Sequence, residues 1–195
     1  MTARRAFDRA AAHAHVLALA DAAGVQRTDV ARSGRARATR RTRAVAIPEI
    51  RSLRSYLVAL HELGHVIGAN PRLRLDQEVA AWNWALAHTR FEPTDACWRM
   101  IGRALGSYVA RAVRRPGMRV PEPGHPIWPF VPIDHGEVVA LAKRTDNRLE
   151  AALDVWRLVQ ERSRGEGSQS SGRPRRRSAS TELISAPRMI TSPLR

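Results

Sequence analysis

His61 and His65 stand four residues apart in a run whose apolar residues recur every three or four positions: Ile50, Leu53, Leu57, Leu60, Gly64 and Ile67. That period predicts an amphipathic helix over residues 49–68. On a helix, positions i and i+4 share a face, one turn apart, so both imidazoles can reach a single ion. Glu62 follows the first histidine, and the five residues His61-Glu62-Leu63-Gly64-His65 read HExxH. This spacing requires a helix rather than a strand, and it asks for a third ligand from a neighbouring element. It is also the spacing by which helical zinc sites place an acid beside a metal-bound water.

Composition bounds the rest. The 195 residues suffice for one domain with its own core. Much of the 44% hydrophobic share is alanine, which favours helices and a thin core. The formal net charge of +15 is nearly all arginine and favours a polyanionic neighbour such as nucleic acid. The single cysteine, Cys97, excludes an internal disulfide and a cysteine-based zinc site, and it reads as a small core residue beside Trp98. The first apolar stretch is broken by Asp8, Arg9, His13 and His15, which is unlike a signal peptide, and no apolar run approaches the ~20 residues of a membrane span. A cytoplasmic protein with no membrane partner is the expectation.

Along the chain, residues 3–23 suit a helix ended by Gly24. The arginine-laden stretch 26–44 begins as a loop, and residues 39–47 suit one short strand before Pro48. Proline at an early helical position then opens the helix 49–68. Further helices are expected over 76–90, from Thr94 or Asp95 to Val113, and over 135–161, with a proline-rich loop over 116–132. The expected class is mainly α (α+β), a helical domain with a small β-sheet over residues 1–162. From Ser163 onward seven arginines stand against two glutamates, so 163–195 reads as a disordered basic tail.

The third ligand has several candidates. A histidine six residues beyond His65 is excluded because that position is Pro71. Asp76 suits a helix cap better than a ligand. His88 lies a distant turn away. Glu78 fits best, since an antiparallel return across a short loop can present its carboxylate to the first helix. His13 and His15, two apart, do not share a helical face. His125 reads as a loop residue, and Trp82 and Trp84 as core and rim packing.

The segment Glu78-Val79-Ala80-Ala81-Trp82-Asn83-Trp84-Ala85 resembles the E-x-x-A-N-x-F-A segment of the ImmA/IrrE metallopeptidases. Ala81 and Ala85 match, Trp84 stands for phenylalanine, and Trp82 replaces the asparagine. Val45-Ala46-Ile47-Pro48 is similar to the short strand before the family's active-site helix, where a substrate can add as an extra strand. The resemblance covers about residues 41–88. It implies a zincin-like fold of the gluzincin class with Glu78 as the third ligand. It also implies an intracellular endopeptidase of phage, mobile-element or stress-response origin that acts on a protein or peptide, in family members a DNA-binding repressor.

The expected chemistry follows. Zn2+ held by His61, His65 and Glu78 lowers the pKa of a water toward ~7, and Glu62 takes the proton and passes it to the leaving amine. A nearby donor shares the oxyanion's charge. His88, Tyr108, His125 and His135 are all chemically able to do so, with His88 favoured for sharing Glu78's helix although ten residues place it ~15 Å along the axis. The alternative is a basic nucleic-acid-associated protein of a phage or mobile element whose zinc is structural. Its arginine runs at 35–43 and 173–177 would then contact phosphates in a sequence-blind, salt-dependent way.

Overall fold

The computed structural model describes residues 6–28, 36–47 and 49–164. It is mainly helical with one small sheet. Helix α1 spans Arg9–Ala22, and the Asp8 carboxylate caps it by accepting from the Ala10 and Ala11 amides at 2.8 and 3.1 Å. Its exit is a Schellman turn. Gly24 sits at φ 61, its amide donates to Asp21 O, and the Val25 amide donates to Ala20 O. Only a residue without a Cβ takes that φ cheaply. The turn carries Val25 into the core and the chain into β1.

Strands β1 (Gln26–Thr28), β2 (Arg37–Thr39) and β3 (Ala44–Ala46) form one sheet in the order β1-β3-β2. β1 pairs parallel to β3, and β2 pairs antiparallel to it with Ala38 opposite Val45. This corrects the single strand expected over 39–47 and the loop expected before it. The turn at 40–43 folds that stretch into a hairpin, with Arg43 at φ 47. The guanidinium of Arg43 bonds the Ala23 carbonyl and that of Arg40 bonds the Gly68 carbonyl. Two arginines of the 35–43 run therefore tie the hairpin to helix ends, where free carbonyls await donors.

Helix α2 spans Leu53–Ile67 and begins later than expected. Pro48 lies outside the described residues, and Glu49 precedes the helix. Ser52 and Ser55 form a reciprocal capping box: the Ser52 hydroxyl accepts from the Ser55 amide, and the Ser55 hydroxyl accepts from the Ser52 amide at 2.9 Å. Two satisfied amides outweigh the preference of proline for the first turn. Tyr56, Leu57, Leu60 and Leu63 are fully buried along one face. Burying each leucine stabilises the fold by roughly 1.5–3 kcal/mol. Helix α3, Arg74–His88, returns against α2.

Helix α4, Asp95–Arg114, packs on α6, Arg148–Arg164. Between them lie the proline-rich segment, which buries Ile127, Val131 and Ile133, and α5, His135–Lys143. The single helix expected over 135–161 is thus two. Asn147 breaks it, because its side-chain oxygen accepts from the Leu149 and Glu150 amides and starts a new helix. α6 continues to Arg164 with Ser163 buried, slightly past the expected boundary at 162. The rest of the expected basic tail lies outside the described residues. No helix among the described residues is long and apolar enough to cross a membrane.

Candidate metal centre

Helix α2 carries His61 and His65 on one face, and α3 brings Glu78 against them. The crossing is close because of Gly64: a Cβ there would lie 2.8 Å from the Ala81 carbonyl oxygen. Ala81 is one turn beyond Glu78, so the smallness of Gly64 lets the carboxylate of α3 reach the imidazoles of α2. The two Nε2 atoms lie 3.1 Å apart, and Glu78 Oε2 lies 3.3 Å from His61 Nε2 and 3.5 Å from His65 Nε2. Among the described residues, these three form the group that can hold a metal ion.

The surroundings favour a cation. His61 and Glu78 are buried and His65 nearly so. Burial pushes the Glu78 pKa up, but the two imidazoles outweigh it and hold the carboxyl far below the usual carboxylate range. Burial pushes the His61 pKa down despite Glu78 beside it. A metal requires neutral imidazoles and an ionised carboxylate, and burial favours the neutral form at His61. The second carboxylate oxygen, Oε1, lies 2.7 Å from Arg74 Nη2, an ion pair that lacks the alignment of a hydrogen bond. Arg74 thereby draws Oε1 away and leaves Oε2 facing the histidines.

His61 Nδ1 is buried without a hydrogen-bond partner. A ligating imidazole commonly donates its second N–H to an acceptor that fixes the ring. Here the ring lies on Trp82 instead, with centroids 4.1 Å apart and planes inclined by 29°. Trp82 is the position at which the chain departs from the segment it resembles, and at this position it orients a donor by stacking.

A cavity of about 520 Å³ opens over the three donors. Glu62 lines it, and burial raises the Glu62 pKa, which makes the carboxylate a stronger base. Arg74 and Tyr108 line the same cavity, as do Arg37 and Ala38 of β2. β3 is the central strand with both edges paired, so the expectation of strand addition at Val45–Ile47 is not met; β1 and β2 are the edge strands, and β2 borders the cavity.

Among the proton donors named from the sequence, only Tyr108 lines this cavity. His88 does not: it is exposed at the end of α3, its Nδ1 2.8 Å from the Trp84 carbonyl and its ring stacked on Trp84. His125 bonds Asp76 through Nε2 at 2.8 Å, which occupies both residues. His135 packs edge-on against Trp128. Arg74 was missed because one arginine among 33 basic residues carries no contrast. Its position four residues before Glu78 on one helix is the signal that marks it. Compared with family models, curated proteins and solved structures, the chain matches none.

Proposed function

We propose that the protein is a zinc-dependent peptidase that hydrolyses a peptide bond in a protein or peptide substrate. One observation carries this reading: three donor atoms separated by 3.1, 3.3 and 3.5 Å, with Glu62 in the cavity above them. Ligands bonded at 2.0–2.1 Å to a tetrahedral zinc ion are about 3.3 Å apart, so the donor triangle has the edge that zinc requires. Two imidazoles and one carboxylate also match the ligand chemistry of catalytic sites, which leave one position open.

His61, His65 and Glu78 would hold the zinc, which when bound would supply a Lewis acid for the scissile carbonyl and bring the pKa of water toward ~7. Glu62 accepts the water's proton and returns it to the leaving amine, a role supported by its raised basicity and its place beside the first ligand. Arg74 and Tyr108 are the donors at hand for the oxyanion. The free edge of β2 offers backbone groups to an extended substrate. The net charge of +15 supports a substrate that is acidic or already seated on nucleic acid, such as a DNA-bound regulator.

The test is elemental analysis of zinc-loaded protein, followed by mass spectrometry of a defined peptide mixture exposed to it. About one zinc per chain and cleavage of peptides are expected, with turnover lowered at least ~100-fold in Glu62→Gln while zinc is retained. Zinc bound by the parent with no cleavage of any peptide would make the site structural and sink the peptidase reading, while full turnover in Glu62→Gln would remove Glu62 as the base.

A further inference from the structure

A second cavity, about 460 Å³, adjoins the first and shares Arg74 and Tyr108 with it. Its walls are largely apolar: Leu75 and Ala112 from the helices, and Val120 and Pro121 from the segment after α4. Leu73 and Met118 border it, 64% and 43% exposed. Both are spare apolar surface that the core does not use, which a partner would gain by covering.

The rim is basic. Arg74, Arg111, Arg115 and Arg119 line it against two carboxylates, Asp76 and Glu122, an excess of two positive charges. Asp76 is already engaged by His125. Among the described residues, no carboxylate pairs with Arg111, Arg115 or Arg119. Arg111 instead lies over the Tyr108 ring, 5.1 Å from its centroid. Three of these arginines follow one another at the end of α4: Arg111 in its last turn, Arg115 at its C-cap and Arg119 four residues on. A single terminal carboxylate would need one fork, whereas a string suits several acidic side chains of a continuing chain.

We propose that this second cavity takes one large apolar side chain of the polypeptide substrate, flanked by acidic residues that lie on the arginine rim. The inference rests on the peptidase reading for the word substrate, and on continuity of the two cavities for its geometry. Arg74 and Tyr108 border both, and an extended chain advances only ~3.3 Å per residue, so neighbouring residues of one peptide reach the metal and the pocket together.

The probes are three fluorescein-labelled ten-residue peptides of alanine and serine, all with amidated C-termini, carrying Glu-Leu-Glu, Glu-Gly-Glu or Lys-Leu-Lys at the centre. Binding is read by anisotropy on zinc-loaded Glu62→Gln, which separates binding from turnover. The Glu-Leu-Glu peptide is expected to bind at least ~10-fold more tightly than either other peptide, since a buried leucine side chain is worth roughly 1.5–3 kcal/mol. Added to that protein, Arg115→Glu/Arg119→Glu removes at least ~5-fold of this affinity, and Met118→Asp removes the preference for leucine over glycine. The control Arg54→Glu/Arg99→Glu changes net charge equally at exposed positions away from the pocket and is expected to stay within ~2-fold.

Equal binding of the three peptides, no binding at all, or an equal loss in both arginine pairs would overturn the proposal. Zinc content and melting temperature of each variant distinguish a lost contact from a lost fold. Turnover by the parent is scored separately. Selective binding without turnover keeps the pocket and removes the peptidase reading, while turnover without selectivity does the reverse.

Discussion

Two histidines are buried to nearly the same depth in this bundle, His15 on α1 at 7% exposure and His61 on α2 at 6%. Their partners differ. His15 Nδ1 meets the Tyr56 hydroxyl at 2.7 Å, and that hydroxyl in turn accepts from the Arg90 amide. His61 has an orphaned Nδ1, and its Nε2 is crowded by another imidazole and a carboxylate. A buried polar group left without a partner costs about 1–3 kcal/mol, and an ion held at Nε2 would leave Nδ1 as it is; what such an ion would relieve is the crowding at Nε2. The satisfied histidine is part of the scaffold. The crowded one belongs to the group that could hold a metal ion.

The largest test of this contrast is zinc itself. At a concentration 100 times its dissociation constant, zinc stabilises by ~2.7 kcal/mol, which for a chain of this size raises the melting temperature by roughly 5–10 °C. Calorimetry with and without zinc should show that rise in the parent and none in Glu78→Ala. A rise of the same size in the variant would remove Glu78 from the centre. Gly64→Ala comes next. Its Cβ would press on the Ala81 backbone, at a cost of ~1–3 kcal/mol. Chemical denaturation should report that loss, and zinc titration should report weaker binding, because α3 must retreat and take Glu78 with it.

Tyr56→Phe should act on the other histidine alone. Losing the hydroxyl costs ~1–2 kcal/mol in denaturation and leaves zinc affinity at the parent value. An altered zinc affinity would show that the two histidines are coupled through α2. The smallest effect is that of pH. Burial, with Arg90 and His88 adding to it, holds the His15 pKa below its ordinary 6.5. The unfolded chain therefore takes up the proton first as pH falls. His15's contribution is complete above about pH 6.5 and declines below it until the folded imidazole itself protonates. Melting temperatures measured between about pH 7.5 and 5 should fall less steeply in His15→Gln than in the parent.

The two candidate histidine ligands were legible because their spacing is a helical constraint that survives any tertiary context. Glu78 was legible because a short connection forces α3 to return along α2. The edge strand was not, since Arg37-Ala38-Thr39 is too short and polar to show a period, and it becomes a strand only by pairing with β3. The start of α2 was misread from Pro48, where local propensity lost to the hydrogen bonds of Ser52 and Ser55. The break at Asn147 was hidden because one capping side chain interrupts a helix without disturbing the apolar pattern on either side. Tyr108 was one of four donors named from the sequence, and only the packing of α4 on α3 singled it out, whereas Arg74 carried a local signal, its place four residues before Glu78, that is faint in so arginine-rich a chain.

All three donors lie between residues 61 and 78, on two successive helices. Chains are made from the N-terminus and can fold as they emerge. When α3 has left the ribosome, all three candidate ligands and Arg74 are already present, whereas Tyr108 and the rest of the arginine rim are still to be synthesised. The order of the sequence thus separates two stages in the life of the molecule: the residues that could hold an ion are made first, and the arginine rim beside them is built afterwards.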